Sequence, residues 1–367
     1  MQQATIAVFA GDGIGPEVTR EARAVLEVCA KQFDLDLRFE DELLGGCAID
    51  RDGTALPDAS FALAKRSDAV LLGAVGGPKW DNPQATVRPE QALLGLRRGL
   101  GLFANLRPIV AHPALIPAAP LKRELLEGVD ILFVRELTGG VYFGQPSERR
   151  SGPDGRSAVD TVVYSEGEVT RVVRLAFELA RSRRKKVTQV DKANILATSR
   201  LWREVTHEIA RDFADVACDD VLVDAMAMHL LRRPRDFDVV VTENMFGDIL
   251  TDEASVLTGS LGMLPSASLG DTVNRFGGRL GLYEPIHGSA PDIAGKDVAN
   301  PLGAILSSAM LLEYSLGQAA PARAIEAAVS SVIDSGLRTA DVRQDGCRIV
   351  GCRAMGDAVR AALTRGA

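Results

Sequence analysis

The segment DVVVTENMFGDILTDE, residues 238–253, constrains this chain more than any other. A valine run breaks at Thr242-Glu243-Asn244 and helical spacing follows, so the sequence predicts a buried strand feeding a helix. Asp248 and Asp252 stand four residues apart on that helix and point the same way. An isolated pair of this kind is most often a solvated helix face. Here the acids follow the carboxyl end of a strand, where α/β proteins collect their ligands, and two like charges at this spacing repel unless a cation lies between them. Hard carboxylate oxygens without Cys or His suit Mg²⁺ or Mn²⁺. VLVDAMAMHLL repeats the arrangement, placing Asp224 between a short apolar run and a Met-rich helix. Three carboxylates could then share one ion.

The chain opens on the same plan, with strand TIAVFA, turn GDGIGPE and a helix carrying Pro16 near its first turn. The third glycine comes one residue too early for the dinucleotide fingerprint G-x-G-x-x-G, which argues against a Rossmann unit. Further strands are predicted at residues 68–72 and 131–135, with helices at 89–99 and 167–184, so the class is α/β with a mixed or parallel sheet. Residues 139–163 change character to two strand-like pieces around a Gly/Pro/Ser-rich turn. They read as a hairpin arm whose Tyr142, Phe143, Val162 and Val163 would pack on another subunit. Residues 269–300 are glycine-rich and too long for an ordinary connection, which makes them a candidate functional loop.

At 367 residues about two domains are expected. A net charge of −7 argues against a nucleic-acid surface, and RSRRKK at residues 181–186 reads as a helix C-terminal cap. The five cysteines show no C-x-x-C spacing, so neither a disulfide framework nor a zinc site is indicated. No apolar run approaches bilayer length and the N-terminus lacks a signal-peptide pattern, so a cytoplasmic location and no membrane partner are expected.

Several side chains suit chemistry. Arg97, Arg98, Arg107 and Arg135 come from segments that otherwise look buried; each is either a structural ion-pair partner or a reader of carboxylates. Lys192 ends the strand KVTQVDKAN and is a candidate base, though a lone lysine is more often a surface group. Tyr142 is a candidate proton donor, or an arm residue packing its ring. His287 lies in the small-residue loop YEPIHGSAPDIAGKDVAN. Asp292 in that loop could accept bonds from ribose hydroxyls, which favours NAD over NADP.

Taken in order, GDGIGPE, GGPKW, RPEQALLGLRRGLGLFANLRP, RELTGGVYFG, VDKANIL, VDAMAMHL, NMFGDILTDE and EPIHGSAPDIAGK closely resemble the β-decarboxylating dehydrogenases of the isocitrate/isopropylmalate superfamily, over nearly the whole chain. GGPKWD and the Leu-Leu-x-Leu-Arg segment resemble the isopropylmalate branch. The resemblance implies two α/β domains, not Rossmann. Residues 1–101 with 259–367 would form a cofactor-binding domain, and residues 102–258 a substrate, metal and dimerisation domain carrying the arm.

It also implies roles. Tyr142 and Lys192 match the catalytic pair. Arg97, Arg107 and Arg135 match the arginines that hold the malate carboxylates, and Glu90, Leu93 and Leu94 line the side-chain pocket. Asp224, Asp248 and Asp252 match the metal ligands, with Asp224 also near the substrate. Ile14 and residues 76–89, among them Gly76, Gly77, Pro78, Lys79 and Trp80, match the nicotinamide side. Glu284, His287, Gly288, Ser289, Ala290, Pro291, Asp292, Ile293, Ala294, Gly295 and Asn300 match the adenosine segment. The implied reaction is NAD- and Mg²⁺- or Mn²⁺-dependent oxidative decarboxylation of 3-isopropylmalate to 4-methyl-2-oxopentanoate, a step of leucine biosynthesis. It would run in a homodimer whose sites each take Lys192 and Asp224 from one subunit and the remaining groups from the other. A sister activity on D-malate, tartrate or homoisocitrate, or a non-catalytic regulatory subunit, stays open at this point.

Overall fold

The computed structural model describes residues 2–82 and 85–365 and divides into two compact units. The first, residues 1–102, 111–120 and 258–367, is built from both ends of the chain. The second, 103–110 and 121–257, comes from the middle. Residues 111–120, expected with the middle, belong to the first unit.

The first unit starts with β1 (Ala4–Gly11), α1 (Gly15–Gln32), β2 (Leu37–Asp41), α2 (Gly46–Asp52), α3 (Asp58–Arg66), β3 (Ala69–Ala74) and α4 (Glu90–Gly99). The second holds β4 (Leu102–Val110), α5 (Arg123–Leu126), β5 (Asp130–Glu136), β6 (Glu148–Gly152), β7 (Gly155–Val159), α6 (Glu166–Arg181), β8 (Lys186–Asp191), α7 (Ala197–Ala210), β9 (Ala217–Leu222), α8 (Val223–Arg232), β10 (Val239–Thr242) and α9 (Asn244–Ser255). The chain then completes the first unit with β11 (Pro265–Val273), β12 (Arg279–Pro285), α10 (Leu302–Met310), α11 (Ala319–Asp334), β13 (Leu337–Arg338), β14 (Arg348–Ile349) and α12 (Cys352–Arg365).

Each unit has a mixed sheet. In the first, the order β2-β1-β3-β12-β11 is parallel except for the antiparallel pair β11/β12. In the second, β4-β5-β10-β8-β9 is parallel except for β4/β5. The valine-rich β10 is buried on both faces, as a central parallel strand must be. Its register sets Thr242 against Arg135 of β5 and Val190 of β8, so three strands end together. Arg135, Lys192 and α9 therefore emerge at one edge. That is the carboxyl edge, the usual ligand side of an α/β sheet.

Two expectations change and a third gains partners. The stretch 269–300 is not one loop, because its first half lies in the β11/β12 hairpin. RSRRKK begins at the C-terminus of α6, with Arg181 in the last turn as expected, and its cations also reach remote acids. Arg181 pairs with Asp215 and Arg183 with Asp130 and Asp238, while Lys186 opens β8. Those partners are remote in sequence, so local pattern could not reveal them. The arm exists as the exposed hairpin β6/β7, but Tyr142 lies before it in a 3₁₀ turn, Gly140–Tyr142, and Val162 and Val163 lie after it. The strands themselves carry Glu148, Arg149, Arg150 and Arg156, so the face they show to solvent is polar. Among the described residues, no helix is long and apolar enough to cross a membrane.

Candidate active site

In the second unit, the acid-bearing helix α9 is fixed at its start by a small polar network. Glu243 is its N-cap and accepts from the Phe246 amide at 2.6 Å. The Tyr164 hydroxyl donates to the other Glu243 oxygen at 3.0 Å and accepts from the Asn244 amide at 3.0 Å. The Asn244 side-chain oxygen accepts from Arg135 Nε and Nη2 at 3.1 and 2.8 Å. Gly247 permits this approach, since a Cβ there would lie 2.6 Å from Arg135 Cγ. Tyr164 did not stand out in the sequence, and Glu243 and Asn244 were read only as the strand break, since Glu is not among the favoured N-cap residues. Tyr164→Phe is expected to leave a buried carboxylate oxygen and a buried amide each short of a partner. The loss is about 1–3 kcal/mol for each, read as a lowered midpoint in chemical denaturation.

One turn along, Asp248 receives Arg135 Nη1 in a short contact, the Tyr142 hydroxyl at 3.0 Å and Arg107 Nη2 at 3.5 Å. Asp252 has Arg107 Nη1 at 3.6 Å. Arg107 is itself held by Asn105 at 2.7 Å and Thr251 at 2.5 Å, and Arg135 lies 5.7 Å from the centre of the Tyr142 ring. The Asp252 side chain is largely exposed, yet partial desolvation at its base pushes the carboxyl up, against the pull of Arg107 and with a further push from Asp248. Burial and Asp248 also push the Tyr142 hydroxyl up, so it stays a proton-bearing donor at neutral pH. The two aspartates of α9, an arginine pair and a phenol are thus together, as the sequence suggested.

Lys192 and Asp224 form a second pair, at 2.5 Å. The bond from Lys192 holds the Asp224 carboxyl below the usual carboxylate range. Beneath them Arg203 grips Asp191 with two bonds of 2.8 Å, and Ser199 accepts from the Lys192 amide at 3.0 Å, so the strand end is rigid. Among the described residues, the only group of three acidic, Cys or His side chains with converging ligand atoms is Glu17, Asp297 and Cys352. The expected trio of Asp224, Asp248 and Asp252 is therefore not gathered within one chain.

In the first unit, Arg97 is buried and bonded to Glu284 at 2.9 Å. Glu90 lies exposed at the start of α4, its Oε1 3.1 Å from where a Cβ of Gly76 would stand. Leu93 and Leu94 are both half-buried, and Leu93 packs against the apolar core of the unit. Within the segment 76–89, Pro83 and Gln84 lie outside the described residues. Lys79 pairs with Asp50 at 2.6 Å, and Trp80 lies on Gly46, where a Cβ would meet the ring at 2.4 Å.

The turn GDGIG is a packing device. A Cβ on Gly13, at φ +57°, would lie 2.0 Å from the Ser289 carbonyl, and the amide of the buried Ile14 donates to that carbonyl at 2.8 Å. Asp12, which sequence reasoning passed over, accepts the amides of Gly46, Cys47 and Gly76 at 2.7, 2.7 and 2.8 Å. One buried carboxylate thereby fixes the start of α2 and the Gly76 turn.

Past β12, His287 Nδ1 bonds to the Gly288 carbonyl at 2.9 Å, while its Nε2 is buried with no protein partner. Burial lowers the pKa of the imidazole, leaving it neutral at pH 7. Ala290 adopts φ +38°, Asp292 and Gly295 are exposed, and Asn300 is committed to Asp341 and to the start of α10.

Paired carboxylates on a helix, a cluster of arginines, a phenol and a lysine past a strand end suit acid–base chemistry on an acidic substrate. The chain belongs to the isocitrate/isopropylmalate dehydrogenase family, whose profile it matches over residues 5–359. It is 60% identical over 339 residues to a 3-isopropylmalate dehydrogenase from Anaeromyxobacter dehalogenans, covering 92% of this chain and 94% of that one. It is 56% identical over 359 residues to another from Pseudomonas putida, covering 98% of each. Among solved structures, isocitrate dehydrogenase from Methylococcus capsulatus superposes with a TM-score of 0.85 at 34% identity, covering 98% of this chain and 99% of that one.

Proposed function

We propose that this protein is an oxidoreductase that converts 3-isopropylmalate to 4-methyl-2-oxopentanoate by NAD- and divalent-metal-dependent oxidative decarboxylation, in the leucine pathway of the cytoplasm. The observation that carries the reading is the near-full-length identity of 60% to an enzyme bearing that name. The presence of Tyr142, Lys192, Asp224, Asp248 and Asp252 speaks against a non-catalytic subunit.

The donor sets fit a divalent ion and NAD. Asp248 and Asp252 offer hard oxygens from one helix face, and the charge of Asp248 adds to the desolvation that raises the Asp252 carboxyl, a repulsion that a cation would relieve. The buried, unpartnered His287 Nε2 beside a glycine-rich loop suits a nucleotide. When bound, a divalent ion supplies Lewis-acid stabilisation of charge on the C2 oxygen, and NAD⁺ supplies the hydride acceptor. Arg97, Arg107 and Arg135 hold the two malate carboxylates. The guanidinium groups of Arg107 and Arg135 are buried and braced, so little ordering is left for substrate to bring about. Lys192 takes the C2 hydroxyl proton as the C2 hydride departs. The 2-oxo acid then loses its β-carboxylate as CO₂, and Tyr142 returns a proton to C3.

The catalytic form is a homodimer in which each site takes Lys192 and Asp224 from the partner subunit. Two observations support this. Asp224 does not converge with Asp248 and Asp252 in one chain, and α8 and α9 expose Met228, Leu231 and Ile249.

The test is NADH formation from 3-isopropylmalate, with and without Mg²⁺ or Mn²⁺, beside D-malate as competitor. Metal-dependent turnover with kcat/KM favouring 3-isopropylmalate is expected; equal or better use of D-malate would overturn the substrate. A second expectation concerns cofactor choice. Asp292 is an exposed carboxylate that would face a 2′-phosphate, so NAD⁺ is expected to exceed NADP⁺ in kcat/KM by at least about 10²-fold. Comparable rates with both cofactors would remove Asp292 from that role.

A further inference from the structure

We propose that Glu136 is the positioning residue for Tyr142 and thereby sets the rate at which C3 is protonated; this rests on the reading of Tyr142 given above. Successive residues of a strand point to opposite faces, so at the end of β5 Arg135 turns toward α9 while Glu136 turns to the side of α6. There its carboxylate is fully buried. One oxygen accepts the Thr138 amide at 2.8 Å and the Thr138 hydroxyl at 2.5 Å, and the other accepts the Gly139 amide at 2.8 Å. Arg171 of α6 donates to the Thr138 hydroxyl in a short contact and lies 3.7 Å from the carboxylate. A buried carboxylate is costly unless its oxygens are matched, and here the matching donors belong to the turn that leads to Tyr142.

That turn needs holding. Tyr142 is 45% exposed within one chain, so packing around its ring does not fix it and its place follows from the backbone before it. Gly139 and Gly140 run against Tyr164: a Cβ on the first would lie 2.5 Å from the ring and one on the second 2.4 Å from the hydroxyl, and Gly140 has φ +76°. Only glycine fits there, and glycine by itself leaves a chain free to move. Three anchors remove that freedom. Asn244 Nδ2 donates to the Gly139 carbonyl at 3.2 Å, the Gly140 amide donates to the Val163 carbonyl at 3.0 Å, and Glu136 holds two successive amides with a charged acceptor. The phenol then reaches Asp248 at 3.0 Å. In the step it serves, the phenol O–H bond breaks as C3–H forms from the electron pair of the enolate left by CO₂ loss. The C2 oxygen returns to a carbonyl, and solvent reprotonates the phenolate.

The experiment is rapid-mixing and steady-state NADH formation by Glu136→Gln, Tyr142→Phe and the double variant, in light and heavy water, with thermal melts. Glutamine keeps the shape but turns an NH₂ donor toward one of the two amides, so half the grip is lost. The first NADH phase, which precedes protonation of C3, is expected to keep its rate. The kcat of Glu136→Gln should fall about 10- to 100-fold, the cost of a misplaced general acid, with a larger solvent isotope effect than in the unaltered protein. Because the slowed step follows CO₂ loss, kcat/KM for 3-isopropylmalate should stay nearly constant, so kcat and KM fall together. In the Tyr142→Phe background, Glu136→Gln is expected to add almost nothing, because the two act as a unit. A slowed first phase, a fall in kcat/KM as large as that in kcat, or additive effects would each overturn the proposal. If Glu136→Gln does not melt cooperatively, Arg171→Met tests the same clamp from its other side, since methionine keeps a stem beside the Phe103 ring and removes the donor to Thr138. The same pattern with a smaller loss is expected, and unchanged turnover would overturn the proposal. If Tyr142→Phe itself leaves kcat unaltered, the reading of Tyr142 fails and this inference fails with it. If Tyr142→Phe slows the late step and Glu136→Gln matches the unaltered protein, only the positioning role fails.

Discussion

Lys192→Met is expected to lower kcat by about 10²–10⁴-fold, the usual contribution of a positioned general base, while leaving cofactor and metal affinity nearly intact. Methionine keeps the unbranched length and loses only the amine. The fold should tolerate it, since Ser199 bonds to the Lys192 backbone amide and Arg203 braces Asp191, neither of which uses the Lys192 side chain. Asp224 loses a partner but is an exposed carboxylate that water can serve. Lys192→Arg separates the two ways in which lysine could matter. Arginine keeps the positive charge beside Asp224 yet does not release its proton in proteins, so it should be as poor as methionine if proton transfer is the role. Substantial turnover in the arginine variant would assign Lys192 to charge stabilisation and require another base.

The parts of this site that were legible in the sequence are those written within one segment. Asp248 and Asp252 needed only helical spacing, and the strand before them needed only Val239, Val240 and Val241. Interactions that join remote segments left no local trace. Asp12 meets the amides of Gly46, Cys47 and Gly76, and Arg97 meets Glu284, 187 residues away. The misreading of residues 269–300 has a different cause. Glycines were taken as loop signals, yet Gly278 and Gly281 lie where chains crowd together: a Cβ would stand 2.3 Å from the Ser315 carbonyl and 2.7 Å from the Tyr283 hydroxyl. Those glycines serve close packing around a strand, and the periodicity of β12 is hidden by them.

The same contrast separates the two halves of the proposed chemistry. Residues that grip acidic groups are supported from below: Arg107 by Asn105 and Thr251, Arg135 by Asn244, α9 by Glu243 and Tyr164. Lys192, just past the end of β8, and Asp224, in the first turn of α8, sit on a separate pair of elements and face each other. In the homodimer proposed here, these are the groups lent to the other subunit.

Asp252→Asn is expected to reduce kcat/KM by about 10³-fold at fixed Mg²⁺ and to shift half-saturation by Mg²⁺ or Mn²⁺ to higher concentration. The magnitude follows from the several kcal/mol that a catalytic metal contributes to stabilising charge, at about 1.4 kcal/mol per factor of ten. Asp252 is the better test of the two acids on α9. Asp248 also anchors Arg135, Arg107 and Tyr142, so its loss would mix metal binding with the ordering of three other side chains. Asp252 meets Arg107 only at 3.6 Å and is largely exposed, so asparagine there should leave the helix and its melting temperature unchanged. Chelation of the unaltered protein should produce the same loss, reversed by added metal. Excess metal should recover much of the activity of the asparagine variant if the carboxylate acts through the ion. Turnover that survives both chelation and the substitution would place the stabilising charge elsewhere, with Arg107 and Arg135 the groups left to provide it.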